Sequence, residues 1–196
     1  MKHIFALLFA TSSLLVVGCS ASAWSTAEKE LINGANYSRM RVTTIADSSD
    51  SLLLRSVCTP LSQKHLEAPE FGRLVASMIE TVVDPENEGV GIAAPQVGVL
   101  RRVIVVQRFD KAGTPFEVYV NPEIVERSEE LTLGPEGCLS VPERSEEVLR
   151  SAAISLRYRD AVTFEPREEH IEGFTAVIFQ HEIDHLDGIL YIDRLN

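Results

Sequence analysis

The stretch FTAVIFQHEIDHLDG occupies residues 174–188 of the chain. Its apolar first half and its terminal glycine predict a helix that is ended by Gly188. Because residues four positions apart share one helix face, the rings of His181 and His185 can bind a single metal ion between them. Glu182 can then act as general base on a water molecule at that metal. The stretch therefore predicts a metal-dependent hydrolytic site.

A catalytic metal site normally has a third protein ligand. Only eleven residues follow His185, and among these Asp187 lies too near along the helix and Asp193 is a weak candidate. The best upstream candidate is Cys138, in the segment PEGCLSVP at residues 135–142. A thiolate is a strong ligand for Zn²⁺ and Fe²⁺, although a single cysteine is more often an inert buried residue.

A glycine-rich segment, GVGIAAPQVG, occupies residues 89–98. It lacks the glycine spacing of a dinucleotide-binding loop. The simplest interpretation is a tight turn between a helix and a strand. A second interpretation is a substrate-binding edge, in which Gly91 leaves room for a peptide backbone and the Gln96 amide donates to the oxyanion of a tetrahedral intermediate.

The rest of the chain predicts short strands around two main helices. Apolar residues recur with helical spacing from Leu74 to Val83, which predicts a helix over residues 68–83. The other predicted elements are a helix over 174–187 and strands at 103–106, 116–120, 153–158 and within 161–172. We therefore expect a mixed α+β fold.

Length, composition and charge exclude several classes of protein. The chain has 196 residues, of which 45% are hydrophobic and 24% are charged, as in soluble globular domains rather than disordered chains or multi-span membrane proteins. Its 29 acidic and 18 basic residues give a net charge of −11, which argues against nucleic-acid binding. Three cysteines are too few for a disulfide framework, and we interpret Cys58 as an inert buried residue.

The N-terminus has the pattern of a targeting segment. Residues 1–23 combine a basic start, an apolar run and the sequence VVGC, which resembles the lipobox of bacterial lipoproteins, with Cys19 as the lipidation site. An uncleaved anchor helix, cleavage near Ala23 and a misassigned start codon remain alternatives. We expect a polar tether over residues 24–45 and a catalytic domain over 46–196. The expected location is exported and membrane-anchored, with the cytoplasm as the alternative.

Three segments together resemble the signature motifs of the peptide deformylase family. They are GVGIAAPQ at 89–96, EGCLS at 136–140 and QHEIDH at 180–185, in that order, and the resemblance covers about residues 46–195. It implies an α+β fold in which the metal-binding HExxH helix packs against small antiparallel sheets. It also implies hydrolysis of the N-formyl group from formylmethionine at peptide N-termini, a step of protein biosynthesis that releases formate.

The resemblance also implies roles for individual residues. Cys138, His181 and His185 would hold one divalent ion, which is Fe²⁺ in many family members and Zn²⁺ or Ni²⁺ in others. Glu182 would serve as general base and acid. The residues implied to hold the oxyanion are Gln96 and the main-chain N–H of Leu139. The residues implied to bind substrate are Gly89, Val90, Gly91, Glu136, Gly137, Phe174, Val177 and Ile178.

One position departs from the family pattern, because Ser145 aligns where an arginine is common. Two other functions remain open at this point. The chain could be an exported metallopeptidase that cleaves ordinary peptides, or a lipid-anchored binding module without turnover. We expect the protein to act as a monomer on N-formylated peptides, with no nucleic-acid partner and with Cys19 as its lipid anchor to the membrane.

Overall fold

The structure, a computed structural model, describes residues 24–195. Its α-helices are α1 Thr26–Ala35, α2 Ser48–Leu54, α3 Gln63–Glu67, α4 Pro69–Val82 and α5 Gly173–Leu186. Its strands are β1 Gly91–Ala93, β2 Val103–Gln107, β3 Phe116–Arg127, β4 Leu131–Cys138, β5 Val141–Ser151, β6 Ala153–Arg159 and β7 Pro166–Glu172. Short 3₁₀ helices occupy Ala94–Val97 and Tyr191–Arg194. The expected α+β fold is confirmed.

Two antiparallel sheets form the framework. The larger has the strand order β1-β2-β3-β6-β7, and β4 and β5 pair separately as a hairpin. In β2, Val103 and Val105 pack with α4 on one face of the sheet, whereas Ile104 and Val106 pack with α5 on the other. Because helices cover both faces, β2 is a continuous apolar run rather than an alternating one.

The core lies in the two layers between these helices and the sheet. On the α4 side, Leu74, Met78 and Val82 are fully buried. On the α5 side, Phe179 and Leu186 are fully buried. The apolar stripe of α5 therefore fixes the helix against the sheet, and the polar residues of the helix face the opposite side.

The segment 24–45 corrects the expectation of a tether. Ser25 and Glu28 form a capping box that starts α1. Trp24 and Ile32 are fully buried, and Met40 donates its main-chain N–H to Thr81 Oγ1 on α4 at 2.8 Å. Residues 24–45 are therefore packed on the domain that we expected to begin at residue 46. The error arose because the few buried residues of this segment are separated by long polar stretches.

The predicted helices at 68–83 and 174–187 agree with α4 and α5 to within one residue at each end. The predicted strands correspond to β2, β3, β6 and β7, although β3 continues to Arg127. The β4–β5 hairpin was not predicted, because most of its side chains are exposed and Leu133 faces Leu149 at the surface.

The signal peptide and Cys19 belong to residues 1–23, which lie outside the described residues. Among residues 24–195, no helix has the length and the apolar character needed to cross a bilayer.

Candidate metal centre

Helix α5 and the end of β4 bring the three predicted ligands together. His181 and His185 lie one turn apart on α5, with ring centroids 5.1 Å from each other. Cys138 ends β4, and its Sγ lies 3.2 Å from His185 Nε2. One ligand atom from each of the three residues falls within 4.8 Å of the others. Bonds of about 2.0–2.3 Å to a tetrahedral divalent ion need ligand atoms at this kind of separation, so the set fits one such ion.

The Cys138 thiol is suited to bind a cation. Burial opposes ionisation of the thiol, but the charges and hydrogen bonds of His185 and His181 outweigh it and hold the pKa of Cys138 well below its usual value. The thiolate is the form that ligates metals. At Cys58, in contrast, burial raises the pKa to about 12, as expected of the inert residue predicted there.

A buried carboxylate orients the first histidine. His181 Nδ1 donates to Glu136 Oε2 at 2.8 Å, which leaves Nε2 as the nitrogen free to bind a metal. Arg150 donates to both oxygens of Glu136, at 2.7 and 3.0 Å. Burial by itself would raise the pKa of Glu136. The hydrogen bonds from His181 and Arg150 outweigh burial and lower the pKa to about 2. Glu136 therefore remains ionised beneath the ligand.

This arrangement gives the Glu136 side chain a role that the sequence did not predict. Its carboxylate is engaged by Arg150 and His181, which leaves its main chain for the expected pairing with a peptide backbone, and that pairing stays a prediction. Arg150 itself was missed. It also donates to Asp184, which accepts hydrogen bonds from Arg194 as well. A single arginine on a polar strand carries no sequence signal for such a role.

Glu182 lies at the inner end of the cavity, and its side chain is almost fully buried. Burial raises the pKa of its carboxyl to about 7, against the charges of His181 and His185. A Cβ atom built on Gly91 would lie only 2.5 Å from Glu182 Oε1 and 2.9 Å from Ile178 Cγ2. The space left by the missing side chain of Gly91 is therefore filled by the Glu182 carboxylate, and pairing of a peptide backbone with the Gly91 main chain stays a prediction.

Gln96 is held in one orientation beside the ligand sulfur. Its Oε1 accepts from Ala93 N at 2.8 Å, and its Nε2 donates to Cys138 Sγ at 3.5 Å. The side chain is buried. Leu139, the other residue implied to hold the oxyanion, follows Cys138 in the turn between β4 and β5 and lines the same cavity. The structure thus places a fixed amide donor next to the metal ligands.

A cavity of about 610 Å³ opens above these residues. All eight predicted substrate-binding residues line it, namely Gly89, Val90, Gly91, Glu136, Gly137, Phe174, Val177 and Ile178. Phe174 is the most open of the apolar group, with 55% of its surface exposed. Ser145 is not among the lining residues, but Glu143 and Arg144 are.

Comparisons with known proteins agree with this geometry. The sequence model of the polypeptide deformylase family matches residues 42–196. The peptide deformylase of Rhizorhabdus wittichii is 41% identical over 163 residues, which are 80% of this chain and 88% of that protein. The peptide deformylase of Caulobacter vibrioides is 41% identical over 160 residues, or 80% and 87% of the two chains.

Solved structures show the same similarity. The Met-Ala-Ser-bound class I type b peptide deformylase of Acinetobacter baumannii has a TM-score of 0.72 and 37% identity, covering 80% of this chain and 98% of that one. The peptide deformylase of Thermotoga maritima has a TM-score of 0.69 and 36% identity, covering 81% and 98%.

Proposed function

The chain belongs to the polypeptide deformylase family, and from this premise we propose how its own residues carry out the family's reaction. The protein removes the N-formyl group from nascent peptides. One observation carries the assignment of residues: Cys138, His181 and His185 converge on one point, and two of them, Cys138 and His181, line one cavity together with Glu182 and Gln96.

The proposed ligands of the divalent metal are Cys138, His181 and His185. One sulfur and two imidazole nitrogens suit Zn²⁺ and Fe²⁺, and the ionised Glu136 fixes the ring of His181. A divalent ion held there supplies a Lewis acid for the formyl oxygen and lowers the pKa of water. From the family resemblance we propose Fe²⁺ as the native ion.

Glu182 moves the proton in this proposal. Its carboxylate takes a proton from the attacking water while the water oxygen bonds to the formyl carbon. It then delivers that proton to the peptide nitrogen as the carbon–nitrogen bond breaks, which releases formate and a free amine. Burial, which raises the pKa of the Glu182 carboxyl, favours the protonated form that the second step requires.

Gln96 and the N–H of Leu139 are proposed to donate to the formyl oxygen as it gains negative charge. The substrate backbone would pair with the main chain at Gly89–Gly91 and Gly137, adding a strand. The methionine side chain would enter among the apolar residues of the cavity. The A. baumannii relative binds Met-Ala-Ser, the deformylated form of such a peptide, which supports a peptide of this class as the ligand.

The direct test is formate release from formyl-Met-Ala-Ser by the purified, metal-loaded protein. Glu182→Gln should lower kcat by about 10²- to 10⁴-fold, because it removes the group that carries the proton. Metal content should be retained in this variant. Glu172→Gln, which changes an exposed carboxylate just before α5, is the matched control.

The same assay separates this proposal from its alternatives. Cleavage of unformylated peptides at a comparable rate would favour a metallopeptidase, and bound metal with no hydrolysis of any formyl peptide would favour a binding module. Full activity of Glu182→Gln would overturn the role of that residue.

The identity of the metal ion is tested by anaerobic reconstitution of the protein with Fe²⁺, Zn²⁺ or Ni²⁺. Turnover should be highest with Fe²⁺, and equal or higher turnover with Zn²⁺ would contradict the choice of ion.

We also propose export and lipid anchoring through Cys19, supported by the lipobox-like pattern of residues 1–23. Because Trp24 is buried in the domain, five residue steps from Cys19 would hold the catalytic domain within about 18 Å of the membrane. Mass spectrometry of the mature N-terminus from the native host tests this. A diacylated Cys19 is expected, whereas an intact Met1 would favour the cytoplasm.

A further inference from the structure

Residues 24–41 pack on the domain, yet the proposed reaction gives them no role. We call this segment the N-terminal strap, and it precedes residue 42, where the match to the family begins. Its apolar residues Trp24, Ile32 and Met40 are buried in the core layer beside α4. A segment held in this way can position the parts of the molecule that its other side chains contact.

The strap contacts the turn that leads into one side of the substrate cavity. We call residues 86–91 the substrate wall, because all of them line the cavity. The turn before the wall is organised by Asp84, whose Oδ1 accepts from Glu86 N at 2.9 Å. Its main-chain oxygen accepts from Asn87 N at 2.8 Å and from Glu88 N at 2.9 Å. Asp84 therefore sets the direction in which the chain enters the wall.

Arg39 of the strap holds this turn by its charged groups. Its Nη1 lies 3.0 Å from Asp84 Oδ1 and donates to Glu86 Oε2 at 2.6 Å. Within residues 24–195, neither carboxylate forms an ion pair with any other basic side chain. Asp84 is the better shielded partner, with 22% of its side chain exposed against 76% for Glu86. One guanidinium thus joins the residue that organises the turn to the first residue of the wall.

The next strap residue fastens the same turn at a second point. Met40 donates its main-chain N–H to Thr81 Oγ1 at 2.8 Å, and Asn87 Nδ2 donates to the main-chain oxygen of Thr81 at 2.6 Å. Thr81 is fully buried near the end of α4. Strap and wall therefore meet on one buried residue, and this second contact orients Arg39 towards the turn.

The wall has little room to absorb a displacement of the turn. Gly89 N donates to Val82 O at 2.9 Å, and a Cβ atom built on Gly89 would lie only 2.7 Å from Val82 Cγ2. Gly91, at the other end of the wall, lies directly against the Glu182 carboxylate. Because the main chain is packed closely at both glycines, a shift of the turn should move the peptide groups that would pair with a substrate.

We propose that Arg39 is a positioning residue, which holds the substrate wall through Asp84 and Glu86 and thereby sets the affinity for the peptide backbone. This inference rests on the proposed function and adds a segment outside the family match to the substrate site. Arg39 does not line the cavity, so it acts on KM through the wall and not on the chemical step. The pair is partly exposed, so the expected effect is that of a surface ion pair, about two- to fivefold.

The first test measures kcat and KM for C-terminally amidated formyl-Met-Ala-Ser, which carries no charge. Arg39→Gln should raise KM by about two- to fivefold with kcat unchanged. Arg39→Lys, which keeps the positive charge, should restore part of the loss. Salt should raise KM of the wild-type protein towards that of Arg39→Gln, because it screens the ion pairs. A lower kcat with KM unchanged would overturn the proposal.

A double-mutant cycle tests whether Arg39 acts through the turn. Asp84→Asn should raise KM as Arg39→Gln does, and the double variant should raise it no further than the larger single effect, because both changes break one contact. Fully additive effects on KM would contradict the proposed route from Arg39 to the wall.

Arg41→Gln is the matched control within the strap. Arg41 donates to both carboxylate oxygens of Asp50 on α2, at 2.6 and 2.8 Å, and neither residue lines the cavity. This variant should lower the free energy of unfolding in urea and leave KM unchanged. If Arg41→Gln raises KM as much as Arg39→Gln does, the effect is one of general stability and the proposal fails.

Equilibrium binding separates this inference from the proposed function. If the wild-type protein hydrolyses no formyl peptide, the proposed function fails. The dissociation constant of amidated formyl-Met-Ala-Ser is then measured for metal-loaded Glu182→Gln with and without Arg39→Gln. A two- to fivefold weaker binding on loss of Arg39 supports the inference. An unchanged dissociation constant, or no binding to either protein, would overturn it.

Discussion

Two arginines are buried in the described part of the chain, and each is surrounded by carboxylates, but only one set reaches the metal ligands. Arg150 lies between Glu136 and Asp184, whose side chains are 6% and 7% exposed. Arg108 donates two hydrogen bonds each to Asp110 and Glu169, whose side chains are 34% and 27% exposed. Both clusters pair a buried arginine with carboxylates. The carboxylates around Arg150 are buried, whereas those around Arg108 are partly exposed to solvent.

The difference lies in what the carboxylates contact next. Glu136 accepts from His181, so the Arg150 cluster holds a predicted metal ligand in its orientation. The Arg108 cluster instead joins the loop after β2 to β7, and the guanidinium lies 5.7 Å from the centre of the Phe179 ring, within the core layer of α5. We infer that the first cluster supports both the fold and the site, and that the second supports the fold alone.

The largest expected effect is that of Arg150→Met. It leaves two deeply buried carboxylates without their shared cation, which should lower the free energy of unfolding by about 3–5 kcal/mol. Arg108→Met is the matched comparison. Its carboxylates can reach water, so the loss should be smaller, about 1–3 kcal/mol. Urea denaturation of both variants measures this, and an equal loss would remove the distinction between the clusters.

Glu136→Gln should act on the site more than on the fold. The neutral amide is a weaker acceptor for His181 Nδ1, and loss of such a partner lowers metal affinity by about 10- to 100-fold. Metal content after dialysis against a chelator, together with formate release, measures the effect. Glu169→Gln is the corresponding change in the Arg108 cluster, and it should retain metal. If both variants lose metal to the same extent, the proposed link through His181 is contradicted.

The smallest effect is expected in acid, at Asp110. The hydrogen bond from Arg108 lowers the pKa of Asp110 from 3.8 to about 2. Because the folded pKa is the lower one, this stabilisation is present above about pH 4 and is lost as the pH falls towards 2. Asp110→Asn should therefore weaken the decline in the free energy of unfolding between pH 4 and 2, relative to wild type. Parallel curves for the two proteins would show that Asp110 does not contribute to acid unfolding.

The metal ligands and the general base could be predicted because most of them lie within short segments of the sequence. The spacing of His181 and His185 on a helix, and the apolar residues that precede them, identify the site and the helix together. The position of Cys138 was inferred from the need for a third ligand and from the family resemblance. The ends of α4 and α5 were predicted closely, because continuous apolar stripes and a terminal glycine mark them in the sequence.

Only the tertiary structure decided which polar residues support the site and that residues 24–45 pack on the domain. Arg150 and Glu136 meet across the β4–β5 hairpin, and their contact with His181 on α5 joins residues 45 positions apart. Trp24 is buried through contacts with distant parts of the chain, in a segment whose local composition resembles a linker. Local sequence patterns report which face of an element is apolar. They do not report which distant partner a lone tryptophan, arginine or glutamate will find, because that depends on how the elements pack.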